Sequence, residues 1–262
     1  MTTIAITGAA GRMGARLVAL ARKDPLLAIV AAIERADHQA IGRDAGEVAM
    51  IGPIGLPITS DLKATPRVLI DYTAPAATRH WLKACRDARI AMVIGTTGLQ
   101  EADHAAIDQA AAVIPILQAP NMSVGVNVLF RIAAMVARML GQDYDIEIVE
   151  GHHRFKKDAP SGTALGLADA ILKATGQGRE SLVHGRRGDD CQRTSGQIGI
   201  HALRMGDEVG RHTAYFAALG ERLELTHVAT SRDTFALGAL RAAKWLADQK
   251  PGRYGMGDVL GM

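Results

Sequence analysis

The chain has 262 residues, 48% of them hydrophobic and 22% charged, with 28 glycines and only 4% aromatic side chains. That length can bury a core of one or two domains, and the balance is that of an Ala/Val/Ile-rich globular α/β protein. A net charge of +3 with the nine histidines neutral is too small to argue for nucleic acid, and no aromatic platform is interleaved with the basic residues.

Thr3 to Thr7 is a short apolar run ending at Gly8, Arg12 to Lys23 carries apolar residues at helical spacing, and Leu26 to Ile33 is apolar and β-branched again. Strand, helix, strand is the first unit of a parallel sheet. Val68 to Asp71, Ala91 to Ile94 and Val113 to Leu117 repeat the apolar run, separated by helical stretches over 76–88 and 101–112. Strands buried on both faces read this way, so a doubly wound, Rossmann-like parallel sheet is expected. After Asn121 the pattern changes. A long helix is expected over about 124–140, a strand from Asp145 to Glu150, and a helix from Ser161 to about Ala174. The polar segment 177–195 reads as a loop or arm. Gln197 to Arg204, Val209 to Ala218 and Leu223 to Ala229 then alternate as successive strands, which predicts a second, α+β domain with an open mixed sheet. Residues 234–247 form an amphipathic final helix.

Cys85 and Cys191 are far apart and lack a paired spacing, so neither a structural disulfide nor a thiolate metal site is expected. The chain opens directly into its first strand without a signal-peptide pattern, and no apolar stretch is read as long enough to span a bilayer. A cytoplasmic location and no membrane partner are the expectation.

Gly8-Ala9-Ala10-Gly11-Arg12-Met13-Gly14 follows the first strand and opens the first helix. Its spacing is GxxGxxG rather than GxGxxG, but the physical need is the same: a tight turn, close approach to a pyrophosphate and close helix–strand packing. Such a loop can also be only a turn. Glu34 ends the second strand and can accept from an adenosine ribose. Arg35 can pair with a 2′-phosphate or stack on adenine. The pair can also be a solvated edge, but beside the loop it favours a dinucleotide, and acid followed by Arg leaves NADH and NADPH both open. Gly95-Thr96-Thr97-Gly98 and Ala119-Pro120-Asn121-Met122-Ser123 each follow a later strand, at the edge where such sheets bind ligands, and are candidates for nicotinamide and ribose contacts.

Residues 150–163 read Glu-Gly-His-His-Arg-Phe-Lys-Lys-Asp-Ala-Pro-Ser-Gly-Thr. The cationic side chains would repel one another in a core, and an anion would offset the repulsion. Ser161-Gly162-Thr163 sits where a helix begins, so backbone N–H groups can face the same anion. His152, His153 and Lys156 beside an anion cradle suggest an enzyme acting on a carboxylate or phosphate. Lys157 and Arg154 read as solvated charges, Asp158 and Pro160 as shapers of the turn. His201, His212 and His227 lie in predicted strands and read as surface or interface residues. A metal is not expected, because adjacent histidines do not easily ligate one ion and no third ligand has a suitable spacing.

Together these residues resemble the 4-hydroxy-tetrahydrodipicolinate reductase (dihydrodipicolinate reductase) family of bacterial lysine and diaminopimelate synthesis. The resemblance covers Gly8–Gly14, Glu34-Arg35, Gly95–Gly98, Pro120–Gly125, Glu150–Thr163 and Glu221–Phe235, and the His-His-x-x-Lys-x-Asp-Ala-Pro-Ser-Gly-Thr-Ala run is its most specific part. Ala119 stands where a Ser is frequent, and Phe155 occupies a variable place. The resemblance implies a cofactor domain over 1–123, completed by 233–262, and a substrate-binding and tetramerisation domain over 124–232. Phe235, Leu237, Leu240 and Leu246 of the final helix would then pack in the cofactor domain. It implies NADH or NADPH held by Gly8, Ala9, Ala10, Gly11, Arg12, Met13, Glu34, Arg35, Gly95, Thr96, Thr97, Ala119, Pro120, Asn121 and Met122. By position in the motif His152 is the catalytic proton donor/acceptor, Lys156 the cationic proton donor and His153 a substrate contact. Gly162 and Thr163 bind one carboxylate of a cyclic dicarboxylate. The implied reaction is hydride transfer to the ring carbon β to the imine of the dehydrated substrate, with a proton supplied as charge develops toward nitrogen. Two rivals remain at this level: another Rossmann-type reductase acting on a cyclic imino or keto acid, and a catalytically silent dinucleotide sensor.

Overall fold

In the computed structural model, which describes residues 1–262, the chain divides into two compact units, Met1–Val124 with Asp233–Met262 and Gly125–Arg232. The first is built from β1 (Thr2–Thr7), α1 (Arg12–Ala21), β2 (Leu27–Ile33), α2 (Ala45–Val48), β3 (Ile58–Thr59), β4 (Val68–Asp71), α3 (Pro75–Ala88), β5 (Ala91–Ile94), α4 (Glu101–Ala111) and β6 (Pro115–Gln118). The second contributes α5 (Val124–Leu140), β7 (Asp145–His152), α6 (Gly162–Thr175), β8 (Leu182–His184), β9 (Ile198–Arg204), β10 (Gly210–Ala218) and β11 (Glu221–Ala229). The chain closes with α7 (Asp233–Leu246), β12 (Gly252–Tyr254) and α8 (Met256–Leu260) in the first unit.

All seven strands of the first unit run parallel, in the order β12-β6-β5-β4-β1-β2-β3. Alternation along β1 sends Ile4 and Ile6 to a core shared with Leu17 and Val18 of α1 and Leu240 and Leu246 of α7, while Ala5 faces Trp81, Leu82 and Cys85 of α3. Burial on both faces explains the continuous apolar runs. Strand order reverses between β1 and β4, so the crevice beyond their carboxyl ends is the binding position of such a sheet. Leu237, expected to pack α7, stays 53% exposed.

The second unit is a mixed sheet of order β11-β10-β7-β9-β8, with α5 and α6 packed through Leu129, Ala133, Leu167 and Ile171 onto Ile146, Ile148, Ala214 and Phe216. β7 lies between β9 and β10, parallel to β9 and antiparallel to β10. Two sequence expectations need correction here. The 177–195 segment is not wholly loop, because Leu182–His184 joins β9 as a parallel edge strand too short to show a period. Lastly, Val124–Asp143 is long and apolar enough by length and composition to cross a membrane. Its buried stripe, Leu129, Ala133 and Ala137, instead covers the sheet.

Candidate active site

The glycine loop meets its expected geometry. Gly8 has φ +65, the left-handed region that favours glycine, and its carbonyl accepts from the Gly11 N–H at 2.9 Å. A Cβ on Gly14 would lie 2.0 Å from the Gly8 carbonyl oxygen, so α1 meets the turn backbone to backbone. Gly11 begins α1 without a side-chain cap, leaving the positively polarised helix start to an anion. Glu34 accepts from the Ala10 N–H (3.3 Å) and the Arg35 N–H (3.1 Å).

Gly8, Gly11, Glu34 and Arg35 border a cavity of about 590 Å³ together with Thr73 and His80. A glycine cradle that a Cβ would fill, an uncapped helix and an acid at the strand end fit a dinucleotide. Arg12 and Met13 form the first turn of α1, with Ala9 and Ala10 in the turn before it. Gly95–Thr97 and Ala119–Met122 follow β5 and β6 at the same sheet edge, but they do not line this cavity. Gly95 lies under Tyr72, where a Cβ would come within 2.4 Å of the ring.

One central residue of this edge is not evident from composition or spacing. Asp71, fully buried at the end of β4, accepts hydroxyl hydrogen bonds from Thr7 (2.8 Å), Thr73 (2.6 Å), Thr78 (2.5 Å) and Thr96 (3.0 Å). The carboxylate thereby joins the loops that follow β1, β4 and β5. Its signal was an acid closing an otherwise apolar, doubly buried strand, which demands partners.

In the second unit, strand phase builds the other site. Ile146, Ile148, Glu150 and His152 alternate onto one face of β7, and Ile198, Ile200 and Arg204 share it from β9. β10 contributes His212, directly opposite Glu150. Glu150 is wholly buried. Its Oε2 lies 2.6 Å from His152 Nδ1 and accepts from Arg204 Nη1 (2.9 Å), and its Oε1 accepts from Arg204 Nη2 (2.8 Å) and the Ser161 N–H (3.0 Å). Lys156 Nζ pairs with Asp158 at 2.9 Å. Ser161 caps α6 by accepting from the Ala164 N–H at 3.1 Å, which puts Gly162 and Thr163 at the positively polarised start of a 14-residue helix. Gly162 is exposed, with open space where a Cβ would be. His153 keeps a buried Nδ1 without a hydrogen-bond partner, whereas Arg154 and Lys157 are exposed.

The chain matches the family described as dihydrodipicolinate reductase, N-terminus, over residues 2–122, and dihydrodipicolinate reductase, C-terminus, over residues 125–260. It is 49% identical over 265 residues to the 4-hydroxy-tetrahydrodipicolinate reductase of Alkalilimnicola ehrlichii, covering 100% of this chain and 99% of that protein. It is 48% identical over 266 residues to the enzyme of the same name from Anaeromyxobacter dehalogenans strain 2CP-C, covering 100% and 98%. The chain belongs to the dihydrodipicolinate reductase family. Among solved structures, the dipicolinate-bound dihydrodipicolinate reductase from Paenisporosarcina sp. TG-14 shares its fold with a TM-score of 0.78 at 24% identity, covering 98% of this chain and 99% of that one. An amine dehydrogenase from Mycobacterium smegmatis shares the fold more distantly, with a TM-score of 0.61 at 13% identity over 96% and 94% of the two chains.

In this reductase the histidine expectations divide. His212 is not a surface residue: it is buried, its ring lies 5.2 Å from that of His152 at 74°, and its Nε2 is 3.1 Å from Ser161 Oγ. Ala214 and Phe216, in the same phase of β10, mark that face as core, and His212 shares it. His201 is half-buried on the opposite face, 2.6 Å from Glu147, and His227 lies beside His212 across the β10–β11 pair.

Burial and the neighbouring His152 lower the His212 pKa to about 4, below its ordinary 6.5. Burial pushes the Glu150 carboxyl up, but hydrogen bonds from His152, Arg204 and the Ser161 N–H outweigh it and hold the pKa at about 2, below the ordinary 4.5. Both signs run the same way. A histidine buried neutral loses its stabilisation as pH falls from 6.5 toward 4, and a depressed carboxylate loses its own from 4.5 toward 2. Urea unfolding of this reductase should therefore weaken in two stages on acidification. His212→Gln should flatten the first stage, and an unchanged slope in that variant between pH 6.5 and 4 would contradict the assignment.

Proposed function

We propose that this reductase uses NADH or NADPH to reduce 4-hydroxy-tetrahydrodipicolinate, through its dehydrated cyclic imine, to tetrahydrodipicolinate in diaminopimelate and lysine synthesis. Full-length identity of 49% to an enzyme of that name carries the reading. The cluster of His152, Lys156 and the α6 start supplies groups that such a reduction requires.

Gly8–Met13 would hold the pyrophosphate of the cofactor, Glu34 and Arg35 its adenosine end, and Gly95–Thr97 with Ala119–Met122 its nicotinamide half. The bound nicotinamide supplies a hydride. On the substrate side, the first N–H groups of α6 at Gly162 and Thr163 take one ring carboxylate, and His153, half-buried beside His152, makes a further substrate contact. Hydride adds at the ring carbon β to the imine, and the electron pair moves through the enamine toward nitrogen. Lys156 offers an ammonium to that growing charge, and His152 delivers the proton from its ring. An alanine at 119 removes only a minor cofactor contact.

We further infer a cytoplasmic homotetramer. The sheet face opposite the helices supports assembly: Leu203 and Val228 point from it, 46% and 49% exposed. Sedimentation of the purified protein as a monomer at micromolar concentration would remove the tetramer.

The deciding assay mixes the purified protein with substrate freshly made by the preceding synthase and follows oxidation of NADPH and of NADH separately. Saturable loss of reduced-nicotinamide absorbance is expected with at least one of them. No loss with either, at saturating substrate, would refute the reductase reading.

A further inference from the structure

The two ring nitrogens of His152 have different surroundings. Nδ1 lies 2.6 Å from Glu150, whereas Nε2 faces Gly210, where a Cβ would stand 3.3 Å away. We infer that Glu150, clamped by Arg204, is a positioning residue that commits His152 to the form protonated at Nδ1 and reserves Nε2 for proton exchange with the substrate. This rests on the proton-transfer role proposed above for His152.

The argument starts from which groups can donate. Arg204 reaches both oxygens of Glu150, at 2.8 and 2.9 Å, and the Ser161 N–H reaches one of them at 3.0 Å. A guanidinium and a backbone amide have only donors, so the carboxylate accepts at both oxygens and holds no proton of its own. The hydrogen in the 2.6 Å contact with His152 therefore belongs to Nδ1. The other neutral form would aim a ring lone pair at a carboxylate lone pair across that distance. The paired guanidinium contacts also fix the carboxylate plane, and with it the plane of the imidazole.

Arg204 does more than neutralise a charge. Its Nη2 also donates to the Asp158 carbonyl at 2.7 Å, and Ser161, which donates to Glu150, is the cap of α6. One buried carboxylate thus ties the ring that handles the proton to the turn that presents Gly162 and Thr163. On the other side of the ring, His212 from β10 packs edge-on against His152 and is itself held near Ser161. A pair that merely joined β7 to β9 would be indifferent to the tautomer of His152. A positioning pair is not.

Nitrogen-15 NMR of the full-length wild-type protein, labelled at histidine, reads the tautomer directly. At alkaline pH the signal assigned to His152, by its loss in His152→Gln, should show a protonated Nδ1 and a bare Nε2. A protonated Nε2 with a bare Nδ1 overturns the inference, and this measurement does not depend on a variant of Glu150 folding. In the companion experiment, folded Glu150→Gln should lose about a hundredfold in kcat while its NADPH Kd stays at the wild-type value. Wild-type kcat in that variant also overturns the inference. The two readings fail separately. A protonated Nδ1 in a protein that does not reduce the imine preserves the positioning of His152 and removes the reductase reading. Full turnover with His152 protonated at Nε2 does the reverse.

Discussion

Lys156→Ala should lower kcat by about two to three orders of magnitude while leaving the Kd for NADPH within about twofold of wild type. The expectation follows from where the side chain sits. Lys156 belongs to the unit that carries His152 and the α6 start; its side chain is 20% exposed and its ammonium lies 2.9 Å from Asp158. The glycine loop and Glu34 belong to the other unit. In the role proposed for it, Lys156 stabilises charge only as hydride arrives, so the loss on alanine substitution should fall on turnover and not on cofactor binding. Steady-state kinetics with an independent fluorescence titration of NADPH separates the two. An equal loss in cofactor affinity would remove Lys156 from the proton-handling role.

Gly14→Ala should be the most damaging single-methyl change in the chain's cofactor loop. Its Cβ would lie 2.0 Å from the Gly8 oxygen and 2.7 Å from the Ala9 Cα, and both obstacles are backbone. No rotamer change relieves such a clash; α1 must move away from the turn. The cost is expected to reach about 3 kcal/mol of stability, with at least about a tenfold loss in dinucleotide affinity as the helix start shifts from the pyrophosphate. Gly257→Ala is the matched control, because its Cβ would meet nothing closer than 3.9 Å in α8. It should be neutral or stabilise slightly, by up to about 1 kcal/mol. Thermal melts and NADH titrations of both variants check this, and a Gly14→Ala protein that binds NADH normally would show that the loop does not hold the pyrophosphate.

Much of this is legible in the sequence, for identifiable reasons. The parallel strands announced themselves as short apolar runs because both faces are buried. The helix from Gly162 was readable because Ser161 is a good cap and Gly176 ends the helix with φ +73. Short elements were not readable. Ile58–Thr59, Leu182–His184 and Gly252–Tyr254 have two or three residues each, and a period needs more. The helix at Val124 is legible with its bounds, but not that it and the turn after it, Val124–Asp143, reach bilayer length and apolarity.

The site shows the same division at finer scale. His152, His153, Lys156, Gly162 and Thr163 are close in sequence, so their chemistry could be proposed from a single run of letters. Glu150 was visible in that run, but only its phase with Ile146 and Ile148 shows it to be a buried acid that must find donors. Its donors lie elsewhere. Arg204 and His212 come from strands 54 and 62 residues further along, and they flank β7 from opposite sides because the chain crosses from β9 over to β10. Asp71 likewise gathers hydroxyls from residues 64 and 25 positions away.

Local sequence therefore determined the elements, the glycine turn, the capped helix and the chemical types available to handle charge and protons. These depend on dihedral preference, periodicity and neighbours a few residues apart. Tertiary structure alone decided which strands flank β7, that His212 is core rather than surface, and that Arg204 holds Glu150 against His152. Those contacts depend on strand order and register, which are set by the packing of whole sheets and helices and leave no trace in the spacing of the residues that meet.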